Sequence, residues 1–331
     1  MAEKLLDIKN VSKLFRIGGM LSKKKLVAVD DISLEIASDK PVILSIVGES
    51  GCGKTTLCKM ILRLYQADMG EILLNGNSYA DKKNYDPHRF RLDVQPIFQN
   101  PYESFSARKP VDTYLFNTAL RLGISKNKAE ATELIDETLK NVGMSLATIK
   151  GKYPAQFSGG ELQRISIARA LITRPKLIIA DEPVAAIDAS MKMNIVNLFK
   201  ELKDKYNVSF IYITHDLSTA YYVSDYIATL YRGCLIEYGA AAEIMDDPAH
   251  PYTELLMNAV PRVGDKWSED LVLPDLEENE YSITYCKFAP RCPYATDECR
   301  QSRPKMTKLS DSRKVLCFHP LTEKAKQEEK V

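Results

Sequence analysis

The stretch Gly48-Glu-Ser-Gly-Cys-Gly-Lys-Thr-Thr56 decides the fold of this chain. It has the form G-x-x-x-x-G-K-[ST], in which a glycine-rich loop binds phosphate through its backbone N–H groups. The apolar run at residues 42–47 predicts a strand buried on both faces, and the apolar spacing after the loop predicts a helix over residues 54–65. A strand, a loop and a helix in this order predict an α/β fold with a mostly parallel sheet and a nucleotide site.

The residues of this loop have separate predicted roles. The charge of Lys54 would reach the β- and γ-phosphates, and the hydroxyl of Thr55 would bind Mg²⁺. An ordinary glycine-rich turn is the alternative, and three later motifs that make sense only beside a nucleotide count against it. The predicted ATP contacts in the loop are Gly48, Glu49, Ser50, Gly51, Cys52, Gly53, Lys54, Thr55 and Thr56.

The composition is that of an ordinary soluble globular protein, with 331 residues, 45% hydrophobic and 27% charged. The formal net charge of +1 gives no general electrostatic case for binding nucleic acid. No apolar run approaches the ~18–20 residues that a membrane span needs, and the first residues lack the core of a signal peptide. We therefore expect a cytosolic protein that reaches a membrane only through a partner.

Three later segments carry polar groups at the ends of predicted elements. Ser158-Gly-Gly-Glu161 precedes a helical run and predicts a second anion site, with a simple capping turn as the alternative. Asp181 and Glu182 end a buried strand, where they suit Mg²⁺ and the polarisation of water; capping acids are the alternative. His215 follows another buried strand and could sense the γ-phosphate. Two phosphate-binding loops in one chain are explained by a head-to-tail dimer, in which one subunit completes the nucleotide site of the other.

Together these motifs resemble the ATP-binding cassette (ABC) ATPases in order and spacing over roughly residues 5–240. Three further segments resemble the oligopeptide/dipeptide importer ATPases, so that the resemblance covers nearly the whole chain. The segments are residues 98–102, residues 248–253 and the tail that begins Cys286-Lys-Phe-Ala-Pro-Arg-Cys.

The resemblance implies a P-loop NTPase core with an antiparallel β subdomain, a helical signature subdomain and a small C-terminal cysteine-rich region that binds metal. The expected boundaries are an ATPase domain over residues 1–260, with its helical subdomain at about 100–172, and an extension over residues 261–331.

The resemblance also implies roles for single residues. Glu182 corresponds to the general base, His215 to the γ-phosphate contact, and Phe15 to the aromatic residue that stacks on adenine; a core position is the alternative for Phe15. Gln99 would contact Mg²⁺ or water and face the membrane partner. The residues that bind magnesium would be Thr55, Gln99 and Asp181. The contacts to ATP across the dimer would be Ser158, Gly159, Gly160 and Glu161. Asp188 would lie in the loop that crosses the dimer interface.

The function implied is ATP hydrolysis that powers import of oligopeptides or dipeptides, with oligosaccharides or nickel as alternative solutes. The implied partners are a second ATPase subunit (a paralogue or a second copy), two transmembrane permeases and an extracytoplasmic solute-binding protein, at the cytoplasmic face of the membrane. Related cassettes that serve DNA repair or ribosomes carry a coiled-coil insertion or a second cassette. This sequence has neither, so we expect no nucleic-acid partner.

Four cysteines cluster near the C-terminus with the spacing C-x5-C-x6-C-x17-C, namely Cys286, Cys292, Cys299 and Cys317. Four thiolates suit a [4Fe–4S] cluster or Zn²⁺, although structural zinc sites usually show tighter pairs. His319 could compete with Cys317 as a ligand, and disulfides are a further alternative. The resembling importers carry an iron–sulfur cluster here, which favours [4Fe–4S] in a structural role.

Overall fold

The computed structural model describes residues 3–16, 25–80, 86–258, 281 and 283–321. The chain divides into two compact units, which are described separately. Unit 1 comprises residues 1–5, 37–43 and 81–213, and unit 2 comprises residues 6–36, 44–80 and 214–331. The predicted boundary near residue 260 lies outside the described residues.

Strands and helices alternate along most of the described chain. The strands are β1 (Lys4–Arg16), β2 (Lys25–Ala37), β3 (Ile43–Val47), β4 (Met69–Leu74), β5 (Asn77–Ser78), β6 (Val94–Ile97), β7 (Leu177–Asp181), β8 (Ser209–Ile213), β9 (Tyr226–Tyr231), β10 (Cys234–Ala240), β11 (Met306–Lys308) and β12 (Lys314–Leu316). The helices are α1 (Lys54–Ile61), α2 (Pro87–Asp93), α3 (Asp112–Arg121), α4 (Lys128–Asn141), α5 (Leu146–Ile149), α6 (Gly159–Leu171), α7 (Ala189–Tyr206), α8 (Leu217–Val223), α9 (Ala241–Asp246), α10 (Pro251–Asn258) and α11 (Asp297–Gln301).

Unit 2 contains a four-stranded sheet in the order β2-β1-β4-β5. Strands β1 and β4 are antiparallel, with Ile8 opposite Ile72. Along β2, Ile32, Leu34 and Ile36 are buried and alternate with more exposed residues. This period of two turns one face of the sheet toward the core, as the sequence predicts for residues 27–36.

Unit 2 also contains a mixed sheet in the order β11-β12-β10-β9-β3. Strand β3 is buried along its whole length and pairs in parallel with β9, while β9 and β10 form the predicted antiparallel hairpin. Val47 at the end of β3 packs in a core with residues of α8, β9, α9 and α10. The strand that leads into the phosphate-binding loop is therefore fixed in the interior of the unit.

Unit 1 contains a parallel sheet in the order β8-β7-β6. Both β7 and β8 are almost fully buried, as their continuous apolar sequences predict. The apolar spacing over residues 126–142 predicts a helix, and the structure has α4 there. It begins after Asn127, whose side chain accepts a hydrogen bond from the N–H of Glu130 at 2.9 Å. Its residues Ala131, Ile135 and Leu139 are buried.

Within the described parts of the chain, no helix combines the length and the apolar character that crossing a membrane requires.

Candidate nucleotide site and cysteine cavity

The phosphate-binding loop of unit 2 joins β3 to α1 through a backbone that requires glycine. Gly48 has a φ of 147°, and a Cβ atom there would lie 2.2 Å from the carbonyl oxygen of Leu230. Gly53 caps α1 with a φ of 106°, and a Cβ there would lie 2.2 Å from the carbonyl oxygen of Ala28. Larger residues would displace the loop from the strands behind it, so the glycines hold it in a tight turn.

The side chain of Lys54 is buried and folds back over this loop. Its Nζ donates hydrogen bonds to the carbonyl oxygens of Gly48 at 2.7 Å and Glu49 at 2.9 Å. Thr55 lies in the first turn of α1 and is exposed. An ammonium group and an exposed hydroxyl therefore stand at the start of a helix, where anions are favoured.

Two other predicted site residues of unit 2, Phe15 and His215, lie near the end of a strand and just before a helix. Phe15 is half-buried near the end of β1, and its ring meets that of Tyr65 edge-on at 5.5 Å between centroids. Its ring is only partly buried, and stacking on adenine stays a prediction. His215 is exposed just before α8, whose first turn is capped by the side chain of Asp216.

Unit 1 brings together two predicted residues that are far apart in sequence. Gln99 follows β6 and Glu182 follows β7; the Nε2 of Gln99 donates a hydrogen bond to Oε2 of Glu182 at 3.0 Å. Glu182 has a φ of 45°, and its N–H donates to the carbonyl oxygen of Ile213 at 2.8 Å. Asp181 is the last residue of β7 and is half-buried. Carboxylates and an amide thus meet at the carboxyl edge of a parallel sheet, where ligands bind in such folds.

The segment Ser158-Gly159-Gly160-Glu161 starts α6 in unit 1 as a capping box. The N–H of Glu161 donates to Oγ of Ser158 at 3.3 Å, and the N–H of Ser158 donates to the Glu161 carboxylate at 2.8 Å. These bonds from the backbone and the hydroxyl of Ser158 hold the pKa of Glu161 below its usual value. The capping turn predicted as the alternative is present, and the anion site stays a prediction.

The two glycines of this segment lie against the loop that leads to α7. A Cβ atom on Gly159 would lie 3.1 Å from the carbonyl oxygen of Ala186, and one on Gly160 would meet the side chain of Met191 at 3.5 Å. Asp188 caps α7 two residues after Ala186. The signature segment and the loop predicted for the dimer interface are therefore neighbours within unit 1.

The predicted residues are thus divided between the units. Unit 2 holds the phosphate-binding loop, Phe15 and His215; unit 1 holds Gln99, the signature segment, Asp181, Glu182 and Asp188.

The four C-terminal cysteines line one cavity in unit 2, together with His250 and His319. Burial raises the pKa of the Cys286 and Cys292 thiols, and it raises the pKa of Cys317 to about 12. Among the described residues, no three histidine, cysteine or acidic side chains are grouped closely enough to hold a metal ion. The structure therefore does not support the expected metal-binding C-terminal region, although the four cysteines do line one cavity.

Sequence reasoning missed the contacts that tie this region to the phosphate-binding loop. Arg291 forms a bidentate ion pair with Glu49, and the hydroxyl of Tyr281 donates to the carbonyl oxygen of Gly51 at 2.8 Å. These partners are more than 200 residues apart, and no local pattern in the sequence links them.

Comparisons with known proteins find similarity to transport ATPases over most of the chain. Residues 29–185 match the ABC transporter family, and residues 236–299 match the oligopeptide/dipeptide transporter C-terminal region. The oligopeptide transport ATP-binding protein AppF of Bacillus subtilis is 36% identical over 326 residues, covering 95% of this chain and 97% of that protein. The dipeptide transport ATP-binding protein DppF of Haemophilus influenzae is 33% identical, covering 91% of this chain and 92% of that protein.

A solved structure has the same fold. The ATP-binding cassette MJ0796, in a dimeric post-hydrolysis state with ADP and phosphate, superposes with a TM-score of 0.60 and 26% identity. The alignment covers 71% of this chain and 98% of that one. An ATP-binding cassette fold thus accounts for most of the chain described above.

Proposed function

This chain belongs to the ABC transporter ATPase family, and on that premise we propose that it powers the import of oligopeptides or dipeptides. The observation that carries the proposal is similarity to peptide transport ATPases over nearly the full length, including their characteristic C-terminal region. Its partners are two membrane permeases, an extracytoplasmic solute-binding protein and a second ATPase subunit. It works at the cytoplasmic face of the membrane, and nucleic acid has no part in its activity.

In this proposal, the phosphate-binding loop and Lys54 bind the triphosphate of ATP. Thr55, Gln99 and Asp181 would hold Mg²⁺, which would supply positive charge beside the phosphates. Glu182 accepts the proton of the attacking water, and the hydrogen bond from Gln99 at 3.0 Å orients its carboxylate. Phe15 stacks on the adenine ring, and His215 contacts the γ-phosphate.

The second ATPase subunit supplies Ser158, Gly159, Gly160 and Glu161 to the nucleotide from across the interface. The backbone N–H groups of Gly159 and Gly160 at the start of α6 then add positive dipoles beside the phosphates. The contact of this segment with the Asp188 loop supports a shared interface role for both.

The permease contact is proposed for the surface around Gln99. Phe98, Tyr102 and Tyr153 expose large aromatic rings on unit 1, to 39%, 44% and 44%. The hydroxyl of Tyr102 also donates to the carbonyl oxygen of Phe157 at 3.0 Å. A partner that contacts Tyr102 would therefore touch a side chain bonded to the residue before Ser158.

For the cysteine cavity we propose a [4Fe–4S] cluster held by Cys286, Cys292, Cys299 and Cys317. A tetrahedral zinc site needs sulfur atoms about 3.8 Å apart, whereas an iron–sulfur cluster fills a larger space between its four thiolates. The four cysteines line one cavity, and the iron–sulfur cluster of the resembling importers is what supports this choice over zinc. The cluster would stabilise the fold of a segment that has few buried apolar residues of its own.

Metal analysis after anaerobic purification tests this assignment. We expect a brown protein with about four irons per chain. The Cys317→Ser variant should lose the iron, while the control Cys58→Ala, a buried cysteine outside the cavity, should keep it. Colourless protein that contains stoichiometric zinc would refute the cluster.

Transport by the reconstituted complex tests the function itself. We expect uptake of labelled di- or oligopeptides that requires ATP and the solute-binding protein, and that is lost with the Lys54→Ala variant. Uptake of nickel or an oligosaccharide in place of peptides would reassign the solute. Copurification with DNA or ribosomes rather than permeases would contradict the transport role.

A further inference from the structure

Glu49 is the point at which the C-terminal extension meets the phosphate-binding loop. Its carboxylate accepts hydrogen bonds from Nη2 of Arg291 at 2.9 Å and from Nη1 at 3.0 Å. Its N–H donates to the hydroxyl of Tyr252 at 2.9 Å, and its carbonyl oxygen accepts from Lys54 at 2.9 Å. One residue therefore connects Arg291 to the lysine that faces the phosphates.

The guanidinium of Arg291 is held firmly in place. Its side chain is 7% exposed, and the guanidinium lies 5.7 Å from the ring of Tyr231 and 5.9 Å from that of Phe288. Phe288 belongs to a core cluster that also contains Tyr252. A planar cation packed against two rings loses little further freedom when it binds a carboxylate, so its pairing with Glu49 is well defined.

The extension also contacts the loop at a second point. The hydroxyl of Tyr281 donates to the carbonyl oxygen of Gly51 at 2.8 Å. A third carbonyl oxygen of the loop, that of Cys52, accepts a hydrogen bond from the N–H of Gly233 at 2.9 Å. Carbonyl oxygens bound in this way cannot turn toward an anionic phosphate, which they would repel.

The charge of Glu49 gives the ion pair a consequence for nucleotide binding. A carboxylate within a phosphate-binding loop repels the phosphates, and this repulsion is strong where water is partly excluded. Glu49 is 17% exposed, so water screens it only in part. A bidentate arginine cancels this charge and fixes the carboxylate away from the nucleotide.

We propose that Arg291 is a positioning residue for ATP. It neutralises Glu49 and, through Glu49, holds the phosphate-binding loop and Lys54 in the geometry that binds phosphate. The C-terminal extension thereby takes part in nucleotide binding by the ATPase. The proposal rests on ATP binding at residues 48–56.

The first test is ATP binding and hydrolysis by the full chain carrying Arg291→Gln. We expect the Kd for Mg·ATP and the KM to rise about tenfold, as for loss of a charged hydrogen bond, while kcat at saturation stays within about threefold. Arg291→Lys should fall between wild type and Arg291→Gln, because lysine keeps the charge and loses the bidentate geometry. An unchanged Kd with a lowered melting temperature would show a purely structural role and overturn the proposal.

The second test removes both charges. In Glu49→Gln/Arg291→Gln no uncompensated carboxylate remains beside the phosphates, so its Kd should match that of Glu49→Gln alone within about threefold and lie below that of Arg291→Gln. A double variant as weak as the product of the two single effects would show that the residues act independently, against the proposal. If Arg291→Gln alone does not fold, this measurement still tests whether Arg291 acts on ATP binding through Glu49.

Two further variants separate the sources of failure. Arg303 pairs with Asp30 at 3.0 Å from the same extension and does not contact the phosphate-binding loop. Arg303→Gln should therefore lower the melting temperature without raising the Kd for ATP. If Lys54→Ala binds ATP normally, the proposed ATP site fails; if Lys54→Ala is weak and Arg291→Gln binds normally, only the role of Arg291 fails. Iron content measured for each variant distinguishes loss of the ion pair from loss of the cluster.

Discussion

Glu182 has a backbone conformation that costs stability at the point where we place the general base. Its φ of 45° lies in the left-handed region, which costs a non-glycine residue on the order of 1 kcal/mol. Two backbone hydrogen bonds maintain it, from its N–H to Ile213 and from the N–H of Ala185 to its carbonyl oxygen. Because the same conformation brings the carboxylate to Gln99, the strain is consistent with a position kept for activity.

The Glu182→Gln substitution tests the residue directly. We expect ATP to bind within severalfold of the wild-type affinity, because the amide keeps the shape of the side chain. Hydrolysis should fall at least about a hundredfold, because an amide cannot accept the proton of water. Phosphate release and ATP binding measured on the same preparation distinguish these effects.

The matched control is Glu103→Gln, an exposed acid of unit 1 whose carboxylate accepts a hydrogen bond from Asn100. It should leave hydrolysis unchanged. Wild-type hydrolysis by Glu182→Gln would exclude this residue as the base.

At the scale of the element, the capping box of α6 makes the stability of the protein depend on pH. The pKa of Glu161 is lowered by hydrogen bonds from the backbone and then the hydroxyl of Ser158. A carboxylate with a lowered pKa in the folded state contributes stability above its unfolded pKa of about 4.3. That contribution is lost as the pH falls through the lower, folded pKa.

The Glu161→Gln variant should therefore be less stable than wild type at pH 7. The difference should shrink as the pH falls below about 4.3, because the carboxylate of the unfolded chain then binds a proton more readily than that of the folded protein. Urea unfolding of both proteins at several pH values between about 7 and 3 measures this difference in the free energy of unfolding. A stability difference that stays constant over this range would mean that the charge of Glu161 does not contribute.

Sequence patterns predicted the presence of elements better than their ends. Residues 42–47 and α4 were recognisable because burial follows local periodicity. The helix predicted over residues 54–65 instead ends at Ile61, because Arg63 takes a left-handed conformation and Lys59 accepts backbone bonds from two later residues. Leu64 falls at an apolar position of the predicted helix, yet it is 60% exposed. Apolar spacing alone cannot reveal a turn that closes early.

Of the side-chain contacts between distant segments, the family resemblance indicated one and gave no sign of another. The family resemblance selected both Gln99 and Glu182, and the structure shows them bonded. The pairing of Glu49 with Arg291 was not predictable, because it depends on how the extension packs against Tyr231 and Phe288. Charged residues carry no periodic signal that identifies their partners.

At the scale of the whole molecule, the proposed site needs two chains. The loop with Lys54 binds a nucleotide, and the Ser158 segment of a second subunit would complete it from across the interface. In a pair of identical subunits, two such composite sites form around one two-fold axis. Each site would then take Lys54 from one chain and Ser158 from the other.

Mixing two inactive variants tests this arrangement. Lys54→Ala removes the phosphate contact and Ser158→Arg blocks the signature segment, so each variant alone should hydrolyse little ATP. In a mixed dimer, one site combines the intact loop of one chain with the intact segment of the other. An equal mixture should then recover roughly a quarter of the wild-type rate, since half of the dimers are mixed and each has one intact site of two. If wild type alone is active and the mixture gains nothing, the two residues act within one chain, and the shared site is excluded.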